Sequence, residues 1–215
     1  MSIKKIGILG AGRAGTALAR AAAAGGIDVN IAGSRPPRMM KYHLAQYAPK
    51  AQAVEASEIA DDVELVVLMV PQEELDDLNP ETLSGILLVD ATNRWQDEPI
   101  PSWLENALDR GLTSSEALSE HFSGSRIVKS LNHISHWDMD TDRGSKAASQ
   151  RALAIASDSS EDSQVIAELV EQLGFCAVQL PKLSYGKYLE PDSEIFNEVL
   201  GHMELLRRID ASRGA

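Results

Sequence analysis

Cysteine is nearly absent from this sequence, and long apolar runs are missing. The single cysteine, Cys176, cannot form an internal disulfide, which excludes a disulfide framework and fits a reducing compartment. Because Cys176 lies in an apolar segment, Phe175 to Leu180, we expect it to be packed core. No uninterrupted run of about 18 apolar residues occurs, and no basic and then apolar leader opens the chain. We therefore expect a cytoplasmic protein that is neither secreted nor membrane-spanning.

Positive charge is also scarce. The chain has 20 Lys and Arg against 32 Asp and Glu, a formal net charge of −12. Nucleic acids and anionic membranes would repel such a chain at long range, so we expect neither as a partner. A small-molecule partner remains. The length of 215 residues suits one large α/β domain or a dinucleotide domain with a modest extension.

A glycine-rich loop near the start of the chain is the most informative feature that is present. The loop reads G-x-G-x-x-G, a pattern that lets a pyrophosphate approach bare backbone at a helix N-terminus. Ile3 to Leu9 before it predicts a buried strand, Thr16 to Ala24 a helix, and Val29 to Ala32 a second strand. This context predicts a dinucleotide site. Its loop residues are Gly10, Ala11, Gly12, Arg13, Ala14 and Gly15.

The residues after the second strand indicate which nucleotide is bound. An NAD site would place an acidic residue there for the ribose 2′-hydroxyl, and this chain has none. Instead Ser34, Arg35 and Arg38 offer a hydroxyl and two guanidinium groups, which suit a 2′-phosphate. The sequence therefore predicts NADP(H). The alternative is that both arginines are ordinary solvated charges beside a turn.

Strands and helices continue to alternate, which predicts an α/β fold with a Rossmann-type, doubly wound, mostly parallel sheet and a small C-terminal α/β extension. We place an NADP-binding domain at residues 1–150 and the small lobe at residues 151–215. A polar, mobile loop is predicted for Asp138 to Gln150, and a closing helix for Ser193 to Ile209. Further strands are predicted at 51–54, 63–70, 86–89, 127–131, 152–157 and 176–180.

Several predicted strands end in residues that would border the nicotinamide, because ligands of open parallel sheets lie at the carboxyl ends of strands. The alternative is that they only make strand-ending turns, which Asn, Asp and Pro favour. These residues are Val70, Pro71, Ala91, Asn93 and Asn132.

Acid–base candidates are few. His133 and His136 lie near the predicted mouth of the site, but no further ligands complete a zinc set, so we expect no metal. His133 is a candidate proton donor, and a ligand-contacting or structural histidine is the alternative. The Ser-x-x-x-Tyr-x-x-x-Lys arrangement of short-chain carbonyl reductases is absent, since Tyr185 and Lys187 have the wrong spacing.

A resemblance covers almost the whole chain. The sequence resembles the NADPH:coenzyme F420 oxidoreductase (F420-dependent NADP reductase) family, and the same unit is similar to the NADPH domain of metalloreductases that use flavin and haem. The matching motifs are Gly10 to Gly15, Gly33-Ser34-Arg35, Val70-Pro71, Asp90-Ala91-Thr92-Asn93, Val128 to Asn132 and Leu173 to Pro191.

The resemblance implies an NADP-dependent oxidoreductase in which hydride passes directly between stacked rings, to or from a deazaflavin (coenzyme F420) or a flavin. It also implies that no acid–base residue is needed and that Asn132, His133, Ile134 and the segment Leu183 to Leu189 wall the acceptor pocket. Two alternatives stay open: an NADPH-dependent reductase of a small carbonyl or imine, and a non-enzymatic NADP(H) sensor. A homodimer would be compatible with each.

Overall fold

The computed structural model describes residues 2–144 and 150–214, and in that part of the chain eight strands form one sheet. The strands are β1 (Lys5–Leu9), β2 (Asp28–Ala32), β3 (Gln52–Ala53), β4 (Leu65–Leu68), β5 (Leu87–Asp90), β6 (Arg126–Ser130), β7 (Ala152–Ala156) and β8 (Cys176–Leu180). Their order is β3-β2-β1-β4-β5-β6-β7-β8, and all neighbours are parallel except the β6–β7 pair. The predicted Rossmann-type sheet is confirmed.

Helices cover both faces of this sheet. They are α1 (Arg13–Ala24), α2 (Pro37–Tyr47), α3 (Ser102–Asp109), α4 (Ser114–His121), α5 (Asp138–Thr141), α6 (Ser160–Gln172) and α7 (His202–Gly214). Shorter 3₁₀ turns include Ala56–Glu58, Gln72–Asp77 and Leu183–Leu189. Buried side chains of α1, α2 and α6 pack on one face, and those of α3 and α4 on the other. Because both faces are covered, the central strands are apolar almost throughout.

The register places the carboxyl ends of the central strands in one row. Leu9 of β1 pairs with Leu68 of β4, Leu68 with Asp90 of β5, and Asp90 with Lys129 of β6. The residues that follow each strand therefore emerge at the same edge of the sheet. The strand order also reverses between β1 and β4, which opens the crevice where this fold binds nucleotides.

The C-terminal extension continues the same sheet. Strands β7 and β8 are parallel to each other, joined by α6, and their outer face forms a third apolar cluster with α7. Leu205 and Ile209 of α7 are buried in that cluster. The boundary placed at residue 150 stays a prediction.

The predicted closing helix from Ser193 to Ile209 is wrong in its first half, because the helix begins at His202. Asn197 has a positive φ of 61°, which interrupts a helix, and its backbone N–H donates to the His133 carbonyl at 3.1 Å. The Leu200 carbonyl accepts from the β7 backbone at Ala152. Tertiary hydrogen bonds thus replace the local ones that a helix would need.

The predicted polar loop from Asp138 to Gln150 is partly corrected as well. Its first residues form α5, and residues 145–149 lie outside the described part of the chain. Arg20 pairs with Asp140, and the buried Arg151 pairs with Asp138 at 2.9 Å and with Asp142 at 2.8 Å. These ion pairs hold the acidic segment against α1 and β7.

Among the helices of the described residues, none has the length and apolar character that crossing a bilayer requires.

Candidate functional site

The glycine loop has the shape that its three glycines predict. Gly10 has a φ of 118°, and a Cβ there would overlap the Met69 carbonyl. A Cβ on Gly15 would overlap the Gly10 carbonyl, so α1 lies very close to the turn. Gly12 differs, since a Cβ would meet nothing within 4 Å. Gly12, Arg13 and Ala14 are exposed, which leaves an open surface at the N-terminus of α1.

A histidine that sequence reasoning missed supports this loop. His43 of α2 lies 2.9 Å from the Ala11 carbonyl through its Nε2, which donates because a carbonyl can only accept. Its ring also packs against Tyr47 at 4.9 Å between centroids. Nothing in the local sequence marks His43, because the contact joins residues 32 positions apart.

The residues predicted to bind the 2′-phosphate lie beside this loop, and their side chains are not engaged by other parts of the described protein. Ser34, Arg35 and Arg38 are exposed after β2 and at the start of α2. The described residues include all arginines of the chain. The guanidinium groups of these arginines have a hydrogen bond or ion pair to the protein, except those of Arg13, Arg35 and Arg38. The guanidinium groups without a protein partner are therefore those at the predicted phosphate positions.

The predicted nicotinamide residues lie at the same edge but are more enclosed. Val70 and Asn93 are half-buried, Pro71 is exposed, and Ala91 and Asn132 are buried. The side chains of Asn93 and Asn132 are locked together: Asn132 Nδ2 donates to Asn93 Oδ1 at 3.0 Å, and Asn93 Nδ2 donates to the Asn132 carbonyl at 3.3 Å. Asn132 Nδ2 also donates to the Leu189 carbonyl at 2.7 Å. This amide pair has a fixed orientation.

Beneath that pair lies a buried ionic network that sequence reasoning missed. Lys129 is 0% exposed, and its Nζ lies 3.2 Å from Asp90 Oδ2, 2.9 Å from Glu190 Oε1 and 2.7 Å from the Thr92 carbonyl. Asp90 also accepts from Ser115 Oγ at 2.6 Å and from the Thr92 hydroxyl at 2.7 Å. A lysine inside an apolar strand was the available signal.

The charges in this network stabilise one another. Burial alone lowers the pKa of Lys129, but the carboxylates of Asp90 and Glu190 outweigh it and raise that pKa above its usual value. Lys129 is therefore a cation at neutral pH, and it joins the ends of β5 and β6 to the segment that follows Leu189. Such a network is costly to break because it would leave a buried charge unpaired.

The geometry of His133 is that of a structural histidine. Its ring is 2% exposed, and Nε2 accepts the backbone N–H of Ala154 at 3.0 Å. Burial, and then the positive charges of Arg151 and Lys129, lower the pKa of His133 to about 3. The ring is thus neutral at neutral pH, with its proton on Nδ1, which lies 3.4 Å from Asn132 Oδ1. These contacts argue against the proton-donor interpretation.

The described residues contain no group of three or more His, Cys, Asp or Glu side chains that could hold a metal ion. His136 is half-buried beside Trp137, at 4.7 Å between ring centroids.

The residues that the resemblance places around the acceptor lie beneath the surface. Asn132, His133, Ile134, Leu183 and Leu189 are all buried. The exposed surface at this end comes instead from two other segments, residues 93–98 and residues 190–198, which include Trp95 and Phe196. Sequence reasoning did not select either aromatic residue.

Residues 5–94 match a family described as NADP oxidoreductase, coenzyme F420-dependent. The matched segment, which is less than half of the chain, is similar to that family. The match supports the prediction that the chain is an NADP-dependent oxidoreductase. No curated protein matches the chain.

Solved structures share the fold over nearly the whole chain. A hypothetical protein from Sinorhizobium meliloti is 26% identical with a TM-score of 0.78, covering 92% of this chain and 95% of its own. A proposed F420-dependent NADP reductase from Arthrobacter sp. FB24 is 19% identical with a TM-score of 0.69, covering 100% and 96%. An imine reductase from Myxococcus stipitatus in complex with NADP+ is 14% identical with a TM-score of 0.59, covering 98% of this chain but 62% of its own. The likeness to the metalloreductases stays a prediction.

Proposed function

We propose that this chain transfers a hydride between NADP(H) and a flavin or deazaflavin (coenzyme F420) acceptor by direct contact of the two rings. The observation that carries the proposal is the set of partner-free arginines. Arg13, Arg35 and Arg38 are the guanidinium groups without a hydrogen bond or ion pair in the described residues. They flank the glycine loop, where a pyrophosphate and a 2′-phosphate would need them.

The loop residues fit a dinucleotide. The backbone of Gly10 to Gly15 would hold the pyrophosphate, since the exposed side of Gly12 is open where a Cβ would otherwise project. Ser34, Arg35 and Arg38 would hold the 2′-phosphate. His43 keeps the Ala11 carbonyl in place from α2. At the other end, Val70, Pro71, Ala91, Asn93 and Asn132 would border the nicotinamide.

When bound, the nicotinamide supplies or accepts the hydride itself, so the protein contributes orientation and exclusion of water. The locked Asn93–Asn132 pair provides fixed polar groups at this end. A reductase of a small carbonyl or imine would need a proton donor, and the neutral, fully engaged ring of His133 does not favour that alternative. Direct hydride transfer between two rings needs no proton donor from the protein.

The test combines binding with turnover. We expect calorimetry to give tighter binding of NADP+ than of NAD+, and stopped-flow mixing of the NADPH complex with flavin acceptors to give oxidation of NADPH. Tight binding without oxidation by any flavin or deazaflavin would favour a sensor and contradict the proposed reaction. A preference for NAD+ would contradict the phosphate assignment.

The cytoplasmic location and the homodimer stay predictions from the sequence. Sedimentation of the purified protein with and without NADP+ would measure the oligomeric state.

A further inference from the structure

Two segments meet over the nicotinamide end of the site. Residues 93–98 follow β5, and residues 190–198 follow the 3₁₀ turn that packs on Lys129. Three contacts join them: Arg94 N donates to Glu190 Oε2 at 2.9 Å, Gln96 Nε2 donates to Asp192 Oδ2 at 2.7 Å, and Trp95 packs edge-to-face on Phe196 at 5.7 Å between centroids. Because Asn93 opens the first segment, these residues form the surface beside the nicotinamide residues.

The surface offers aromatic area. Trp95 is 44% exposed although its indole already packs on Phe196, and Phe196 is itself half-buried. Exposed tryptophan next to a second ring is the kind of surface on which a planar, apolar ring stacks. The aromatic pair therefore fits the ring of a flavin-type acceptor, as the proposed function requires.

Around this pair, carboxylates outnumber cations. Five exposed carboxylates belong to the two segments, and we call them the acidic collar: Asp97, Glu98, Asp192, Glu194 and Glu198. Three cations lie nearby. Arg94 donates to the carbonyls of Trp95 and Glu98, and Arg208 binds Glu204, the Glu194 carbonyl and, at 3.9 Å, Glu198 of the collar. Arg207 binds Glu204 and also interacts electrostatically with Glu194.

From these observations we infer that the acidic collar selects acceptors by charge: a flavin-type ring with an uncharged tail is accepted, and one with an anionic tail is disfavoured. The inference rests on the proposed function. Carboxylates close to an approaching phosphate raise its free energy, and with few counter-charges available the encounter rate falls. Of the acceptors in the proposed function, the collar would therefore favour a flavin with an uncharged tail over FMN and over coenzyme F420, whose tail is anionic.

The contrast with the nucleotide end supports this specificity. There Arg13, Arg35 and Arg38 stand exposed and without protein partners, ready for phosphates. At the acceptor end, exposed carboxylates outnumber cations. One site would thus take an anionic nucleotide on one side and an uncharged acceptor on the other.

Riboflavin and FMN make a matched pair of probes, because they share one ring and differ by a phosphate that carries nearly two negative charges at neutral pH. The reaction balances as one hydride from NADPH and one proton from solvent to the oxidised flavin, giving NADP+ and reduced flavin. At low ionic strength we expect kcat/KM for riboflavin to exceed that for FMN by about tenfold. Added salt should shrink the ratio, since the Debye length falls to about 8 Å at 0.15 M.

The triple variant Asp97→Asn, Glu98→Gln, Glu194→Gln tests the collar itself. In the described structure these three side chains make no hydrogen bond or ion pair, and Glu194 has only an electrostatic interaction with the exposed Arg207, so the substitutions should preserve the fold. We expect the riboflavin-to-FMN ratio to fall severalfold toward unity.

A control variant removes charge at the opposite edge of the sheet, with Asp62→Asn before β4 and Glu161→Gln after β7. We expect it to leave the ratio unchanged.

The outcomes separate the two proposals. If neither flavin oxidises NADPH, the proposed function fails. If both do so at equal rates, or FMN is faster, or the triple variant keeps the parent ratio, hydride transfer stands and the charge selection is overturned.

Discussion

The two ends of the proposed nucleotide site differ in how their residues are held. At the end proposed for the phosphates, Gly12 to Ala14, Arg35 and Arg38 are exposed, and the guanidinium groups of Arg13, Arg35 and Arg38 have no protein partner among the described residues. At the nicotinamide end, Asn132, His133 and Lys129 are buried, and each is held by several hydrogen bonds. Substitutions should therefore change mainly affinity at the first end and mainly stability at the second.

The largest effect is expected where the charge is most deeply buried. Lys129→Met leaves Asp90 and Glu190 without their counter-charge, and we expect a loss of about 3–5 kcal/mol in the free energy of unfolding. Urea denaturation measures it. The exposed Lys182→Met serves as a control with a change below about 0.5 kcal/mol. A loss under about 1 kcal/mol for Lys129→Met would contradict a structural role for the network.

At the phosphate end we expect a substitution to lower the affinity for NADP+ and to leave the stability nearly unchanged. Arg35→Ala should weaken NADP+ binding by about 2 kcal/mol, near thirtyfold, because a charge-assisted hydrogen bond to the 2′-phosphate is lost. The affinity for NAD+ and the free energy of unfolding should hardly change, since Arg35 has no partner in the described protein. Calorimetry with both nucleotides measures this. Equal losses for NADP+ and NAD+ would remove Arg35 from the phosphate site.

Gly12 and Gly15 lie in one loop, and we expect substitution of the first to change affinity and substitution of the second to change stability. Gly12→Ala should keep the stability, because its Cβ points into open space, yet weaken NADP+ binding about tenfold, or about 1.4 kcal/mol, by occupying the path of the pyrophosphate. Gly15→Ala is the matched variant, whose Cβ overlaps the Gly10 carbonyl and should destabilise the fold. Titration and thermal unfolding of both variants measure the difference. Unchanged NADP+ affinity in Gly12→Ala would place the pyrophosphate elsewhere.

The smallest effect concerns pH. With the pKa of His133 lowered to about 3, the unfolded chain binds one more proton than the folded one between that value and the ordinary pKa near 6.5. Stability should therefore be unaffected by His133 above pH 6.5 and should fall by about 1 kcal/mol per pH unit below it. In His133→Gln this contribution to the slope should vanish. Denaturation at pH 7 and at pH 6 in both proteins measures this loss, which should stay below about 1 kcal/mol over that interval, and identical slopes would show that His133 is not a buried neutral ring.

Strand positions could largely be predicted because the pattern that encodes them is local. The prediction for Cys176 to Leu180 agrees with β8, and 127–131 differs from β6 by one residue at each end. The helix assigned to 193–201 failed for the opposite reason. Its apolar spacing was helical, but Asn197 and Leu200 make backbone hydrogen bonds to residues more than 40 positions earlier in the chain.

The sequence by itself determined the doubly wound sheet and the glycine loop, because alternation of apolar segments and the steric needs of a tight turn are written in neighbouring residues. It also marked Ser34, Arg35 and Arg38 as phosphate candidates. Only the tertiary structure decided that Lys129 sits between Asp90 and Glu190, that His133 is neutral, and that Trp95 meets Phe196. The physical reason is distance along the chain: Arg94 and Glu190 are 96 residues apart, and burial and electrostatic fields depend on where the fold brings such residues together.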